Sequence, residues 1–490
     1  MSYFLGIDLG TSSLKILIGD ENGNILGSYS HSYEVISSNE YYSEQDPSSW
    51  INGFNIAFSS LLSQFPYLKK EHLIISFSGQ MHSLVLIDNQ GIPLRPAILW
   101  NDGRTFEEVA YLRKNHAEHL LNIEKNIALE GFTLPKLLWV RENEPNIWSR
   151  VYKFMMPKDY LIFYLTKTIA TEPSDASGTI MYDVINNRWD QELLEDLNID
   201  KAICPTVLGS FDSIGEMTDE IKALFDLTNT VDIVMGGADN ACGALGVISD
   251  PDTQGMISVG TSGVVLSYDL DTDTSGLGTY HYFNSLNNDI HYKMGVTLSA
   301  GYSLEWFKRI VSEESNFEEF TKLAEKSPLG SRKVQYHPYL FGERSPFFNP
   351  MLSASFVYLK SFHTKEDLIR SVMEGIAFSL KNVADSMGKK KEIYRCTGGA
   401  AKNPFWIQMF ADIFDSKMEV LKLDEGPAYG ALLASVYHKD NQQCIDNWLA
   451  INSVETAYFP IPENVKKYKE IFSKFKITTQ ELNKINQVIK

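Results

Sequence analysis

Asp8-Leu9-Gly10-Thr11-Ser12, close to the N-terminus, is the stretch that decides how this chain folds. It separates two short apolar runs, 4–7 and 14–18, and a third run at 25–35 follows turn residues at 20–24. Runs this short, each closed by turn residues, predict strands of an antiparallel meander. Gly10-Thr11-Ser12 is then a hairpin tip rather than a strand-to-helix loop. Glycine there lets the backbone approach a bound group closely, and the two hydroxyls beside it are donors suited to phosphate. Asp8 is placed to hold a divalent cation, directly or through water. A plain turn is the competing reading, because Gly and Ser are common turn residues.

The pattern has an echo. Ser258-Val259-Gly260-Thr261-Ser262-Gly263 again joins two apolar runs, 256–257 and 264–266, and the offset between the glycines is 260 − 10 = 250 residues in a chain of 490. Duplication on that scale is a fold-level signal. Under the same offset Asp8 maps onto Ser258, so the first copy alone keeps a carboxylate. Two such tips facing each other would grip a polyphosphate, one acidic for a metal and one neutral for phosphate. A GxxxxGK[ST] sequence is absent and Lys15 lies inside the second strand, so any nucleotide is held by hairpin tips and not by a P-loop.

At 490 residues the chain is too long for one core, and two large units or three smaller ones fit the usual domain size. The net charge of −18 argues against a nucleic-acid or anionic-membrane surface. Cys204, Cys242, Cys396 and Cys444 are far apart and form no CxxC, which predicts reduced core thiols. No signal-peptide pattern or membrane-length apolar run is present, and the cytoplasm is the expected compartment.

Along the chain, Asp46-Pro47 predicts a helix start running to about residue 65. A buried strand at 73–77 stops at Gly79-Gln80-Met81-His82. Runs at 85–88 and 94–100 predict a hairpin around Asn89-Gln90-Gly91 that delivers Trp100-Asn101-Asp102-Gly103-Arg104. In the helical region that follows, three islands of small and polar residues, at 131–136, 157–160 and 174–179, read as ligand-contacting loops. A strand at 231–235 ends in Gly236-Gly237-Ala238-Asp239-Asn240, and the small-residue helix after it can pack very closely. The second half repeats the meander at 256–259, 264–268, 279–283 and 291–296. A helix over 365–387 starts at Thr364, with Asp367 as capping partner and a stripe of Leu368, Val372, Ile376, Leu380 and Val383. Gly398-Gly399 leads to Asn403 and Pro404, which read as N-cap and N1 of a further helix.

Each chemical signal carries a plainer alternative. Gly398-Gly399 is either a tight turn or a nucleoside or phosphate contact at exposed N–H groups. Asp239 is either an N-cap or a general base, and the glycines around it suggest backbones crowding at a cleft. A carboxylate aimed at a substrate hydroxyl can take its proton as the oxygen attacks a γ-phosphoryl group. His82 is either a satisfied core histidine or, beside Gln80, Met81 and the 100–104 loop, part of a polyol pocket. His116 and His119, on a charged helix with no further ligand nearby in sequence, read as solvent-facing.

These residues resemble the FGGY carbohydrate kinases: the Asp8–Ser12 tip, 43–50, Gly79-Gln80-Met81-His82, Ile98-Leu99-Trp100-Asn101-Asp102-Gly103-Arg104, 236–240, 260–263 and 398–403. The likeness spans roughly 3–434. It implies an actin-like α/β fold, two duplicated ribonuclease H-like domains around a central cleft. Residues 1–248 would carry the sugar site, metal carboxylate and base, and 249–490 the nucleotide site with a peripheral C-terminal helix. Within the family, Gln80-Met81-His82 with 100–104 is most similar to members acting on xylulose, which implies ATP-dependent conversion of D-xylulose to D-xylulose 5-phosphate. Carried over by motif, Asp239 would be the general base and Asp8 would position Mg2+ and the γ-phosphate. Met81 and His82 would contact sugar, with Trp100 and Asn240 helping. Gly10, Thr11 and Ser12 would meet the γ-phosphate, Gly260 and Thr261 the phosphate chain, and Gly398, Gly399 and Asn403 the nucleoside.

The sequence departs from the family pattern at Ser83 and Ala238, where Gly is common, and at Phe341 and Phe347, which add bulk around Gly342-Glu343-Arg344. These leave the sugar open: gluconate, ribulose and L-xylulose compete with D-xylulose, since one or two pocket side chains change preference. A non-metabolic actin-like ATPase is a further alternative, and the sugar-pocket residues argue against it. A dinucleotide enzyme is a third, against which stand the lack of GxGxxG spacing and of an N-terminal βαβ unit. Sugar and ATP are the expected small-molecule partners, with neither nucleic acid nor membrane, and a homodimer stays open.

Overall fold

The computed structural model describes residues 1–312, 316–423 and 425–488. The N-terminal meander forms as β1 (Ser2–Leu9), β2 (Ser13–Asp20) and β3 (Ile25–Ser32). Asp20 closes the second turn by accepting from the amides of Asn22 at 2.9 Å and Asn24 at 3.0 Å. β4 (His72–Gly79) runs parallel to β1. β5 (Ser213–Glu216) pairs antiparallel with β6 (Val231–Ala238), which is parallel to β4. The six strands lie in the order β5-β6-β4-β1-β2-β3.

Helix α1 (Pro47–Gln64) has Asp46 as its N-cap and Pro47 in its first turn, and it buries Trp50, Phe54, Phe58 and Leu61. Proline there loses no hydrogen bond and arrives with φ already helical. Helix α2 (Asp239–Val247) is the predicted small-residue helix. It meets the helix Pro427–Lys439 so closely that a Cβ at Gly430 would fall 1.8 Å from the Cys242 carbonyl oxygen.

The second sheet contains β7 (Gln254–Val259), β8 (Gly263–Asp269), β9 (His281–Asn284), β10 (His291–Thr297), β11 (Ile393–Gly398), β12 (Lys417–Leu421) and β13 (Val454–Tyr458). Its order is β9-β10-β8-β7-β11-β12-β13. Removing β9 leaves the plan of the first sheet. A central strand has an antiparallel hairpin partner on one side (β7 with β8) and parallel strands on the other (β7 with β11, β11 with β12), closed by an antiparallel edge. The hairpin echo in the sequence is therefore a repeated sheet. The meander of the second copy is not in chain order: β10 takes the place beside β8 and β9 lies outside it.

Helix α3 (Lys365–Ser386) starts with the predicted capping box of Thr364 and Asp367. Val372, Ile376, Leu380 and Val383 are buried, and Ile369 rather than Leu368 completes the inner face. Helix α4 (Pro404–Phe414) begins at Asn403 as predicted. The C-terminal helix α5 (Pro462–Val488) keeps its lysines outward but sinks Tyr468 and Phe475 into the protein. Its Tyr468 hydroxyl donates to Glu374 of α3 at 2.9 Å.

The chain forms two compact units, Met1–Val247 with Phe283–His291 and Glu425–Asn452, and Ile248–Tyr282 with Tyr292–Asp424 and Ser453–Lys490. The four cysteines are buried and unpaired. Among the described residues no helix is long and apolar enough to cross a membrane.

Tertiary structure amends two local expectations. The 85–100 hairpin forms, with its turn closed by the Asp88 amide on the Ile92 carbonyl at 3.0 Å and its arms joined by the Leu94 amide on the Leu86 carbonyl at 2.8 Å and a Leu84–Ile98 bridge. Each arm also takes a distant partner, Val85–Ile87 with Lys153–Met155 and Ala97–Ile98 with Glu44–Gln45. The three polar islands lie mostly in the helices Thr133–Asn143, Pro157–Thr166 and Pro173–Ser177, two of them opened by proline, while Gly131, Phe132, Gly178 and Thr179 stay outside helices.

Candidate active site

Asp8 is the next-to-last residue of β1, paired with Lys15 of β2 and Ser78 of β4. Burial pushes its carboxyl up to about 6, against the pull of the Ser78 hydroxyl and Lys15. Its Oδ1 is buried with no hydrogen-bond partner. A buried carboxylate oxygen left unpaired is expensive unless something neutralises it. That fits a cation, and Asp8 is the group of this tip able to hold one.

The tip itself is tightly braced. The Gly10 amide donates to the Ser13 carbonyl at 3.0 Å, and the Tyr33 hydroxyl donates to the Gly10 carbonyl at 2.5 Å. Gln45 donates to the Thr11 carbonyl at 2.6 Å, and the Trp100 indole donates to the Thr11 hydroxyl at 2.9 Å. Trp100, expected beside the sugar, is thus tied to the phosphate-type tip. Ser83 explains its own departure from glycine: its hydroxyl donates to Gln80 at 3.2 Å and accepts from the Trp100 amide at 3.0 Å. Ser12 stands exposed at the end of the hairpin.

Met81 is buried, and His82 takes a left-handed φ of 65°. The His82 Nδ1 donates to the Gly178 carbonyl at 2.7 Å, which makes Nε2 the acceptor nitrogen of the neutral ring. The His82 carbonyl accepts from Thr133 and Lys136, both at 3.0 Å. Phe132 presents its ring to His82 edge-on with centroids 4.7 Å apart.

Asp239 follows a bulge in β6, where the register shifts between Val234 and Gly237. Gly236 has φ 69°, and a Cβ there would lie 1.8 Å from the Phe77 carbonyl oxygen, so only glycine fits. The Ala238 amide donates to the Ser174 hydroxyl at 2.9 Å, and that hydroxyl donates to Glu172 at 2.7 Å. Lys158, fully buried, faces Asp159 at 2.6 Å, Asp175 at 3.1 Å and Glu172 at 3.4 Å. Asp239 accepts from the amide of its own neighbour Asn240 at 2.7 Å and from the Asn240 side chain at 2.9 Å. A capping aspartate would bind an amide two or three positions further on. Burial, helped by the charge of Asp8, pushes Asp239 up to about 7. A carboxyl poised there can exchange a proton near neutrality. The Asn240 amide also reaches the Met81 sulfur at 3.8 Å.

The first unit therefore gathers Asp8, Gly10, Thr11, Ser12, Met81, His82, Trp100, Asp239 and Asn240. Sequence reading missed Gln45, Ser174, Glu172 and Lys158 as their supports. Lys158 and Ser174 did lie in polar islands, which was the available signal.

In the second unit Gly260 and Thr261 form the other tip, one residue shorter: Val259 pairs with Gly263, whereas Leu9 pairs with Leu14. The Gly260 carbonyl accepts from Gly301 at 2.9 Å and the Thr261 carbonyl from Ala300 and Tyr302 at 3.1 Å. Gly398 pairs with Val259, and with φ 78° a Cβ would meet the Val259 carbonyl at 2.6 Å. Gly399 opens a short 3-10 turn, and the Asn403 side chain caps α4 through the Trp406 amide at 3.1 Å.

His119 is not solvent-facing in the sense expected. Its Nε2 meets Asp190 at 2.5 Å, a partner 71 residues away that sequence proximity cannot reveal.

Residues 3–246 match the N-terminal domain model, and 255–438 the C-terminal domain model, of the FGGY family of carbohydrate kinases. The chain is 41% identical to a xylulose kinase of Staphylococcus xylosus, over 97% of this chain and 99% of that one. A ligand-bound xylulose kinase structure from Lactobacillus acidophilus superposes with a TM-score of 0.93 at 25% identity, covering 100% of both chains. A gluconate kinase structure from the same organism does so with the same TM-score, identity and coverage. The repeated sheet is thus the actin-like ATPase fold.

Proposed function

This chain belongs to the FGGY family of carbohydrate kinases, and we propose that its reaction is transfer of the γ-phosphoryl group of ATP to D-xylulose, giving D-xylulose 5-phosphate and ADP. The observation that carries the chemistry is the pair of raised carboxyls, Asp239 at about 7 and Asp8 at about 6, at the ends of strands on either side of β4. The similarity to xylulose kinases supports the choice of sugar.

Asp239, ionised, accepts the proton of the sugar's O5 hydroxyl as that oxygen forms its bond to the γ-phosphorus. The bond from phosphorus to the ADP oxygen breaks, and the proton stays on the Asp239 carboxyl. Asp8 would hold Mg2+ through its unpaired Oδ1. Bound there, Mg2+ supplies neutralisation of the phosphate oxygens. Gly10, Thr11 and Ser12 would contact the γ-phosphate, Gly260 and Thr261 the phosphate chain, and Gly398, Gly399 and Asn403 the nucleoside. Met81, His82, Trp100 and Asn240 would orient the sugar, with His82 Nε2 accepting from a sugar hydroxyl. Catalysis of this kind is alignment plus charge neutralisation, which the braced tip and the bulged β6 serve.

Similarity to a gluconate kinase favours gluconate as the second reading. Rates with ATP and magnesium across D-xylulose, L-xylulose, ribulose and gluconate separate them. D-xylulose should lead in kcat/KM by tenfold or more on the usual worth of one or two polar contacts. A lead by gluconate would replace the substrate, and no sugar-dependent ATP turnover would remove the proposal.

A further inference from the structure

His119, Glu124 and Asp190 bring their ligand atoms within 4.8 Å of one another, the one such group of metal-capable side chains among the described residues. His119 sits on the short helix Ala117–Asn122, and Glu124 lies two residues past that helix's end. Asp190 caps the helix Gln191–Asp196 by accepting from the Leu193 amide at 3.2 Å. Its second oxygen meets His119. None of these residues belongs to the phosphoryl-transfer machinery.

Glu124 is the decisive member. It is 0% exposed, no N–H or O–H donor of another residue reaches either carboxyl oxygen, and the polar side chain at hydrogen-bond distance is the Asp190 carboxyl. Its charged surroundings are Asp190 and Asp183, both acidic. A carboxylate in such a place must be neutralised. We propose that these three side chains form a structural site for one divalent cation of the zinc class, which joins the helix Ala117–Asn122 to the start of the helix Gln191–Asp196.

Two carboxylates and a neutral imidazole would leave the ion electrically balanced, and the mixed nitrogen–oxygen donor set suits Zn2+ over Mg2+ or Ca2+. On a tetrahedral ion, neighbouring ligand atoms stand roughly 3.4 Å apart at Zn–N and Zn–O lengths of about 2.1 Å. The His119–Asp190 contact would therefore open by less than an ångström from its present 2.5 Å. The His119 side chain is 22% exposed, which supplies an entry path and room for water as the fourth ligand.

The test uses the full-length protein after chelator treatment, without nucleotide, titrated with ZnCl2 by calorimetry and followed by thermal melting. An Asp8→Asn background removes the carboxylate proposed to hold Mg2+. One equivalent of Zn2+ should bind in that background, and the melting temperature should rise by about 5 °C at ~100-fold excess over the dissociation constant. Glu124→Gln in the same background should weaken binding at least 100-fold and abolish the melting shift. His119→Ala, at a partly exposed position, should do the same and guards against a folding defect in the first variant. Equal Zn2+ binding with and without Glu124 would overturn the site. So would no binding at all, and a Glu124→Gln variant as stable as its parent would then mark two carboxyls sharing a proton.

Discussion

Asp8 and Asp239 share a neighbour: Ser78 of β4 pairs in register with Asp8 on one side and with Gly237, two residues before Asp239, on the other. Both carboxylates sit at the carboxyl ends of parallel strands, where an open α/β sheet exposes side chains to ligands. The charge of Asp8 raises Asp239 further than burial alone.

If Asp239 takes the sugar proton, replacing its carboxylate by an amide removes the base and keeps the shape. Asp239→Asn should lower kcat by about a thousandfold, within the usual range for a general base, while the KM for sugar and ATP changes little. Steady-state kinetics decide it, and near-normal turnover would take Asp239 out of the mechanism.

The acid limb of the rate follows from the same pair. With Asp239 at about 7, the base form is lost as pH falls through that value. The kcat/KM profile should drop about tenfold per pH unit below neutrality. In an Asp8→Asn protein with residual turnover the midpoint should move to lower pH, because a like charge has gone. An acid midpoint near 4 in the wild type would disprove the coupling.

Stability should run the opposite way. Both folded-state values lie above the ordinary carboxylate range, so the native protein holds more protons than the unfolded chain between about pH 4 and 7. These two groups therefore stabilise less as pH rises through that window. Asp239→Asn, which cannot ionise, should melt a few degrees above wild type at pH 8 and level with it at pH 5. Mg2+ should raise the melting point of the wild type at pH 8 and do less in Asp8→Asn. Calorimetric melts at the two pH values test both statements.

Much of this arrangement was legible in the residues themselves. Short apolar runs around Gly10 and Gly260 announced the two hairpins, because strand length and turn chemistry are local properties. Asn403-Pro404 and Thr364 with Asp367 announced helix starts for the same reason. What escaped were relationships set by packing. Val85–Ile87 keeps its local hairpin partner and adds a second, Lys153–Met155, far along the chain. The 157–160 and 174–179 islands read as loops because their polar residues suggest solvent, yet Lys158 is buried against Asp159, Asp175 and Glu172. His119 acquired Asp190 in the same way.

Ser174 offers the sharpest test of how Asp239 is aimed. Its hydroxyl stands between the Ala238 amide and the Glu172 carboxylate, at 2.9 and 2.7 Å, and Glu172 is anchored in turn by Lys158. Ser210 adds a second link, donating to Glu172 at 3.0 Å while its carbonyl accepts from the Gly236 amide at 2.9 Å. Ser174→Ala would leave the Ala238 amide without its acceptor and free the residue before Asp239 to shift. Stability should fall by about 1–3 kcal/mol, the usual penalty for an orphaned buried donor. A displacement near 1 Å at the base should lower kcat by about 100-fold. The sugar KM should change less than threefold, because His82 is held by Gly178, Thr133 and Lys136 instead. A loss confined to KM, or a stability loss with kcat intact, would mean that this network supports the fold without aiming the carboxylate.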